Sequence, residues 1–181
     1  MNISLEAIGT EPVTTSEAKT YMGVDTADHD TLIGEKITEA REWFEDLTGR
    51  LVEQRAVTVE FDSWEATSPI RLPYGPAVEI TTVKEFSEAG VKGSAIANTN
   101  YLLVRLDPPL LESDGNGWQL NKSRQALEIV YEGGGPVGMR AKSIILEYIN
   151  RAYDAAGSVF DTADLELRAV PLTIYPLGVA L

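Results

Sequence analysis

The stretch that decides the fold runs from Thr14 to Arg50, TTSEAKTYMGVDTADHDTLIGEKITEAREWFEDLTGR. Its first part predicts a short helix, because Thr14-Thr15-Ser16-Glu17 fits a capping box, in which the first hydroxyl and the glutamate each bond a backbone amide of the first turn. Gly23 favours a left-handed C-cap and should end this helix.

A second, longer helix should begin near Asp28 and end at Gly49. Apolar residues recur there at steps of three and four, which indicates one buried face: Leu32, Ile33, Ile37, Ala40, Phe44 and Leu47. Four acids fall mostly off that stripe, namely Glu35, Glu39, Glu42 and Glu45. Trp43 sits beside the stripe, where it is either a rim residue of the core or a contact for another chain.

The charge of the chain limits the partners it can hold. The net charge is −13 over 181 residues, and residues 1–50 carry 11 acidic and 4 basic side chains. Such a chain should not bind nucleic acid through its phosphates, which requires clustered lysines and arginines. His29 is the only histidine and cysteine is absent, so disulfides, thiolate metal sites and multi-histidine metal sites are excluded. No catalytic constellation appears, and no apolar run is long enough to span a membrane.

After Gly49 the apolar period changes from helical to alternating, as Val57, Val59 and Phe61 illustrate. Strands are predicted at 57–61, 70–72, 77–86, 101–106 and 126–131, with a bulge near Thr81-Thr82 where the alternation changes phase. No segment between them is long enough for a helical crossover. Residues 51–136 therefore predict an inserted small antiparallel sheet or barrel-like subdomain.

Residues 137–157 predict a C-terminal helix that packs against the long helix and completes a helical base with residues 1–50. Residues 1–13 should form an extended, weakly ordered arm. The fold class is thus α+β. Residues 158–181 contain few charges and two prolines, and they are too hydrophobic for an ordinary disordered tail. They form either a final edge strand or an extended arm that needs a partner chain; its candidate partner contacts are Val170, Leu172, Ile174, Tyr175 and Leu177.

Several segments match one family in order and spacing: Thr15–Lys19 with Val24-Asp25, Asp30–Ile37, Glu39–Glu45 leading to Leu47–Arg50, Leu72–Pro76, Ile129–Gly134 and Ile144–Tyr153. Over roughly residues 13–156 the chain resembles the head–tail connector (adaptor) proteins of long-tailed bacteriophages. The tail after Gly157 is not part of the pattern.

The resemblance implies a virion structural protein without enzymatic activity or cofactor, made in the host bacterial cytoplasm and located in the neck. Such proteins form a ring of about twelve copies under the portal protein. The ring extends the DNA channel, through which DNA passes without specific binding, and docks the stopper or tail-completion proteins. On this basis Glu35, Glu39, Glu42 and Glu45 are candidate channel-facing acids, and Trp43, Trp64 and the C-terminal arm are candidate partner contacts.

Two alternatives remain open at the level of sequence. The chain could be a small soluble ligand-binding or enzyme domain that uses its acidic turn or its Trp64 and Trp118 loops, in which case a closed pocket with paired carboxylates should exist. It could also be another virion ring, such as a tail-completion protein.

Overall fold

The computed structural model of the chain describes residues 1–61, 69–87, 91–106, 108–115, 118, 126–155 and 158–173. It is an α+β structure, as predicted, made of two compact units. Among the described residues, a β unit contains Met1–Ala7 and those of Gln54–Gly134, and a helical unit contains Ile8–Glu53 and those of 135–173. The β unit thus covers most of the predicted insert at 51–136, and it also takes in the first residues of the chain.

Within its described residues, the helical unit contains four α-helices: α1 Thr15–Met22, α2 Asp30–Thr48, α3 Met139–Asp154 and α4 Ala163–Ala169, with a 3-10 turn at Val170–Leu172. The predicted capping box of α1 is present at Thr14 and Glu17, and left-handed glycines end both α1 and α2, at Gly23 with φ 72° and Gly49 with φ 69°. The N-cap residue of α2 is His29, whose side chain makes no capping bond and instead contacts the Tyr153 hydroxyl.

The core of the helical unit lies between the apolar faces of α2 and α3. Its fully buried members include Ile33, Ala40, Phe44, Ile144, Ile145 and Ile149. Trp43 packs at the rim of this core, with its ring centroid 4.7 Å from that of Tyr148. Leu32, expected in the buried stripe, is exposed instead, because one residue corresponds to about 100° around a helix and it lies outside the arc centred on Ile33 and Ile37.

In the part of the β unit that the structure describes there are eight strands: β1 Asn2–Leu5, β2 Arg55–Phe61, β3 Ile70–Arg71, β4 Ala77–Phe86, β5 Lys92–Ala95, β6 Tyr101–Val104, β7 Leu110–Ser113 and β8 Leu127–Gly133. They form a five-stranded sheet of order β1-β2-β8-β4-β5 and a three-stranded sheet of order β3-β7-β6, both antiparallel. Both sheets are open, so the sheet alternative holds and the barrel does not. The predicted bulge is present as a register shift between Ile80 and Thr82.

Two segments expected to be extended arms differ from the prediction. Residues 2–5 form edge strand β1 on β2, with Leu5 opposite Val57. Residues 163–172 are helical, because Leu165 and Ala169 stand four apart and enter the core of the helical unit together. The remaining arm residues Ile174, Tyr175 and Leu177, like Trp64, lie outside the described residues.

Candidate functional site

The described residues contain no group of three or more histidine, aspartate or glutamate side chains that could hold a metal ion. An open groove of about 480 Å³ runs beside α1 and the start of α2, and its lining includes Asp25 and Asp30. Asp30 is bonded to the Lys19 ammonium at 2.7 Å, so this groove does not carry the pair of free carboxylates that the ligand-binding alternative requires.

No helix in the described part of the chain is both long and apolar enough to cross a membrane.

The outer side of α2 carries most of the acids singled out in the sequence. Glu35 and Glu42 are exposed, and so is Asp46, which continues the same side of the helix. Glu39 is half-buried and accepts hydrogen bonds from the Lys36 ammonium at 2.7 Å and the Tyr148 hydroxyl at 3.2 Å. Burial, and then the neighbouring Glu39 carboxylate, raise the pKa of Tyr148 to about 12.

Glu45 does not belong to this exposed set. Its side chain is buried, with 3% of the residue exposed, and its carboxylate accepts from Arg41 Nη1 at 3.1 Å and from the Val52 amide at 3.0 Å. Arg41 is buried too, and its Nε donates to Glu11 at 3.0 Å. Burial alone would lower the pKa of Arg41, but the Glu11 and Glu45 carboxylates outweigh it and raise the pKa.

The reason for this error is helical geometry. Glu45 follows Arg41 by one turn, so both lie on the flank of the buried stripe, whereas Glu35 and Glu42 lie on the opposite side of the helix axis. Glu45 therefore connects the end of α2 to the chain that follows it through a buried carboxylate, and it is not a candidate channel-facing acid.

A second set of ion pairs joins α1, α3 and α4. The Lys142 ammonium lies 2.5 Å from Glu17, and the Tyr21 hydroxyl donates to Glu147 at 2.7 Å. The Lys142 hydrogen bond and then the Thr14 amide hold the pKa of Glu17 at about 2. These contacts fasten α1 to α3, so the acids involved have structural partners.

Arg151 forms the link from α3 to α4. Its guanidinium contacts Glu147 at 3.0 Å and Asp164 at 2.6 Å. The hydrogen bond to Asp164, followed by the one to Glu147, raises the pKa of Arg151, and the same bond lowers the pKa of Asp164.

The outer side of α3 and α4 carries exposed apolar and basic residues, of which the sequence analysis named only Val170. Met139 is 84% exposed, Leu167 72% and Val170 47%. Arg140 and Arg168 are also exposed, and Arg140 Nη2 donates to the carbonyl of Arg168 at 3.3 Å, which places the start of α3 beside the end of α4. Helical periodicity could have indicated their exposure, because Met139 and Leu167 do not fall at the three- and four-residue steps of the buried residues in their helices.

The predicted partner contacts thus have different positions. Val170 is half exposed, while Leu172 and Trp43 are partly buried against the helical core. Trp118, which the ligand-binding alternative used, is buried in the β unit and stacks on Tyr101 with ring centroids 6.4 Å apart.

The comparisons with known proteins concern the fold. No protein-family model matches the sequence, and no curated protein matches it. A chain in the neck of an empty gene transfer agent (GTA) particle, computed with C6 symmetry, matches with a TM-score of 0.79 and 17% identity over 99% of both chains. A chain in the virion of a native GTA particle gives 0.80 and 18% over 99% of both.

A third chain, in the neck of a native GTA particle computed with C12 symmetry, gives a TM-score of 0.70 at 16% identity and covers 97% of this chain and 98% of that one. Along nearly its whole length, this chain has the fold of chains found in gene transfer agent necks and virions.

Proposed function

We propose that the chain is a structural protein of the neck of a phage-like particle, and specifically a head–tail connector without enzymatic activity. The observation that carries the proposal is the match over 99% of both chains, at TM-scores of 0.79 and 0.80, to chains from the neck and virion of GTA particles. The family resemblance in the sequence points independently to the same location.

The proposed assembly is a ring of about twelve copies under the portal protein, coaxial with the DNA channel. Support for a ring comes from the neighbours, whose necks were computed with C6 and C12 symmetry. The net charge of −13 suits a channel component, because a negative wall repels the phosphate backbone and lets DNA slide. The face of the ring away from the portal would dock a stopper or tail-completion protein.

The C-terminal residues beyond Thr173 are the proposed portal contact, because they include Ile174, Tyr175 and Leu177 and carry no charged side chain. Trp64 stays a proposed contact for a neighbouring protein. The protein would be made in the host bacterial cytoplasm and join the head there.

The test is the mass of the protein measured by light scattering on a sizing column, first alone and then mixed with the purified portal protein of the same particle. Twelve copies of a 19.7 kDa chain give about 236 kDa. A ring of that mass that binds the portal, or a monomer that joins the portal in equimolar ratio, supports the adaptor. A ring that ignores the portal points to another virion ring such as a tail-completion protein, and a monomer that ignores it contradicts the proposal.

The portal contact needs its own variant. A chain cut after Gly157 would lose Leu165 and Ala169 from the helical core and would fail for reasons of stability. A chain ending at Thr173 keeps α4 and removes only the hydrophobic end. It should still fold and form the same mass alone, but it should lose binding to the portal; unchanged portal binding would overturn this part of the proposal.

A further inference from the structure

The outer side of α3 and α4 forms a patch that suits association with another protein. We define the basic apolar patch as Met139, Arg140, Leu167, Arg168 and Val170, all of them exposed. Within the described part of the chain, Arg140 and Arg168 contact only neutral groups at ion-pair distance: the Arg168 carbonyl and, at 3.5 Å, the Ser143 hydroxyl. At longer range, the charge of Arg168 also interacts with the Glu147 and Asp164 carboxylates. Exposed apolar side chains beside two arginines that have no carboxylate at ion-pair distance among the described residues are unusual in a chain whose net charge is −13.

The outer side of α2 has the opposite character. We define the acidic face as Leu32, Glu35, Glu42 and Asp46, all exposed. Among the described residues, Glu35 and Asp46 have no hydrogen-bond or ion-pair partner, while the exposed Glu42 shares Arg41 with two other acids. Leu32 adds exposed apolar surface at the edge of the same face, so this face complements the basic apolar patch in both charge and apolarity.

The two surfaces are separate and lie on the outer sides of different helices. On α2, Glu35 and Glu42 are roughly half a turn around the axis from the buried Ile33 and Phe44. On α4, Leu167 is similarly opposed to the buried Leu165. Because α2, α3 and α4 bury their inner sides in one common core, their outer sides point away from each other, and one copy cannot bring its own acidic face to its own patch.

We propose that the basic apolar patch of one copy docks on the acidic face of the next copy of this chain. The occupant is a second copy because this chain itself carries the complementary surface in the correct place. Two different surfaces give a head-to-tail contact, which forms a closed ring when the repeated rotation completes a full turn without a shift along the axis. The inference rests on the proposed ring and specifies its contact. It moves Glu35 and Glu42 from the channel wall to the boundary between copies.

Disulfide trapping tests the contact directly, because the chain has no cysteine and each introduced thiol is unique. The variant carrying both Glu42→Cys and Arg168→Cys should form a ladder of covalent multimers on mild oxidation. Each single variant should form none, and the two single variants mixed should stop at a dimer. A matched control pairs Glu42→Cys with Asp154→Cys, an exposed position on α3 outside the patch, and should give no ladder.

Charge reversal supplies a second measurement that does not depend on thiol geometry. In the double-cysteine background, Arg140→Glu should lower the yield of ladder about tenfold, because it places like charges together. Changing Glu35→Arg in the same chain should restore most of the yield. Both sites are on the surface, so circular dichroism and the melting temperature should stay unchanged and separate loss of contact from loss of folding.

The outcomes separate this inference from the proposed function. The oxidation is carried out on the chain alone at high concentration and on the portal-bound chain. If portal-bound rings form but give no ladder, and Arg140→Glu does not change ring formation, the proposed contact is wrong and the adaptor function is retained. If the chain gives a ladder but does not bind the portal, the contact is retained and the adaptor function is wrong. If removal of residues 174–181 makes a Leu167→Cys thiol of the monomer react much faster, the chain's own end covers the patch and the proposal fails.

Discussion

At the scale of single residues, the acids of α2 divide by burial into two kinds with different effects. Replacing Glu45 by Ala leaves the buried Arg41 with one carboxylate fewer and leaves the Val52 amide without its acceptor. Breaking a buried ion pair typically costs 3–5 kcal/mol. Because Glu11 still contacts Arg41, we expect a loss of about 3 kcal/mol in the free energy of unfolding, measured by urea titration.

The matched control is Glu42→Ala, which removes another carboxylate from the same arginine at 3.2 Å but from an exposed position. Exposed ion pairs contribute up to about 1 kcal/mol, so this variant should unfold close to the wild type. Equal effects of the two substitutions would mean that Glu45 is solvated in solution, and Glu45 would then return to the set of candidate channel-facing acids.

Glu17 gives a prediction for pH. Its pKa is lowered from 4.5 to about 2, first by the Lys142 hydrogen bond and then by the Thr14 amide. Because folding lowers this pKa, the stabilisation that comes from the bond is present above pH 4.5 and is lost as the pH falls toward 2. We expect the Glu17 carboxyl carbon to titrate near pH 2 by NMR, and Lys142→Met to raise its midpoint toward the ordinary value. An unchanged midpoint in that variant would leave the link between α1 and α3 unsupported.

At the scale of the element, replacing glycine by alanine should have opposite effects on stability at two positions of α2 and its C-cap. Gly49 ends the helix at φ 69°, where a side chain costs about 1 kcal/mol, so Gly49→Ala should destabilise the protein. Gly34 lies inside the helix, and a Cβ there meets nothing within 4 Å, so Gly34→Ala should stabilise by about 0.5–1 kcal/mol. Thermal unfolding of both variants checks the signs. A stabilising Gly49→Ala would contradict the left-handed cap, and a destabilising Gly34→Ala would contradict the open position of Gly34.

Helix α4 is tested by its two leucines. Leu165 is fully buried and Leu167 is mostly exposed, although only one residue separates them. Leu165→Ala should cost about 2–4 kcal/mol, whereas Leu167→Ala should stay within about 0.5 kcal/mol of the wild type in urea unfolding. Similar small effects would return residues 163–172 to the extended arm that the sequence suggested.

The elements that the sequence predicted are those whose signals are local. The capping box at Thr14, the glycine at 49 and the alternation of β2 each act within a few residues, so they can be read from one segment. The missed elements β1, β5, β7 and α4 are short, and β1 illustrates the dependence on a distant partner, because Asn2–Leu5 pairs with β2. Their own sequences are weakly patterned, and docking decides their structure.

The candidate site was predictable only in part, for a similar reason. The acids of α2 and their position off the apolar stripe were visible, but the burial of Glu45 depends on Glu11 and Val52, which approach from outside the helix. The basic apolar patch joins the start of α3 to the end of α4, residues about 28 apart in the chain. No single segment shows that combination of charges.

At the scale of the whole molecule, the net charge of −13 opposes assembly at low salt. Two copies of the chain, each treated as a charge of −13 and placed about 40 Å apart in water, repel by about 17 kcal/mol without screening. Salt lowers this repulsion to about 5 kcal/mol at 0.01 M and about 0.1 kcal/mol at 0.15 M. The contact between the patch and the acidic face brings opposite charges to a few ångströms, where salt screens them less. Screening therefore removes more repulsion than attraction over this range.

We therefore expect the weight-average mass from light scattering, at fixed protein concentration, to rise as NaCl increases from 0.01 to 0.15 M. The variant carrying Arg140→Glu and Arg168→Glu has a net charge of −17 and lacks the complementary contact, so it should stay monomeric at both salt concentrations. Reversal of Asp25→Lys and Asp154→Lys is the control: it lowers the net charge to −9 outside both surfaces and should assemble at lower salt than the wild type. A mass that falls with salt in the wild type would mean that local ion pairs dominate the assembly and that the overall charge does not control it.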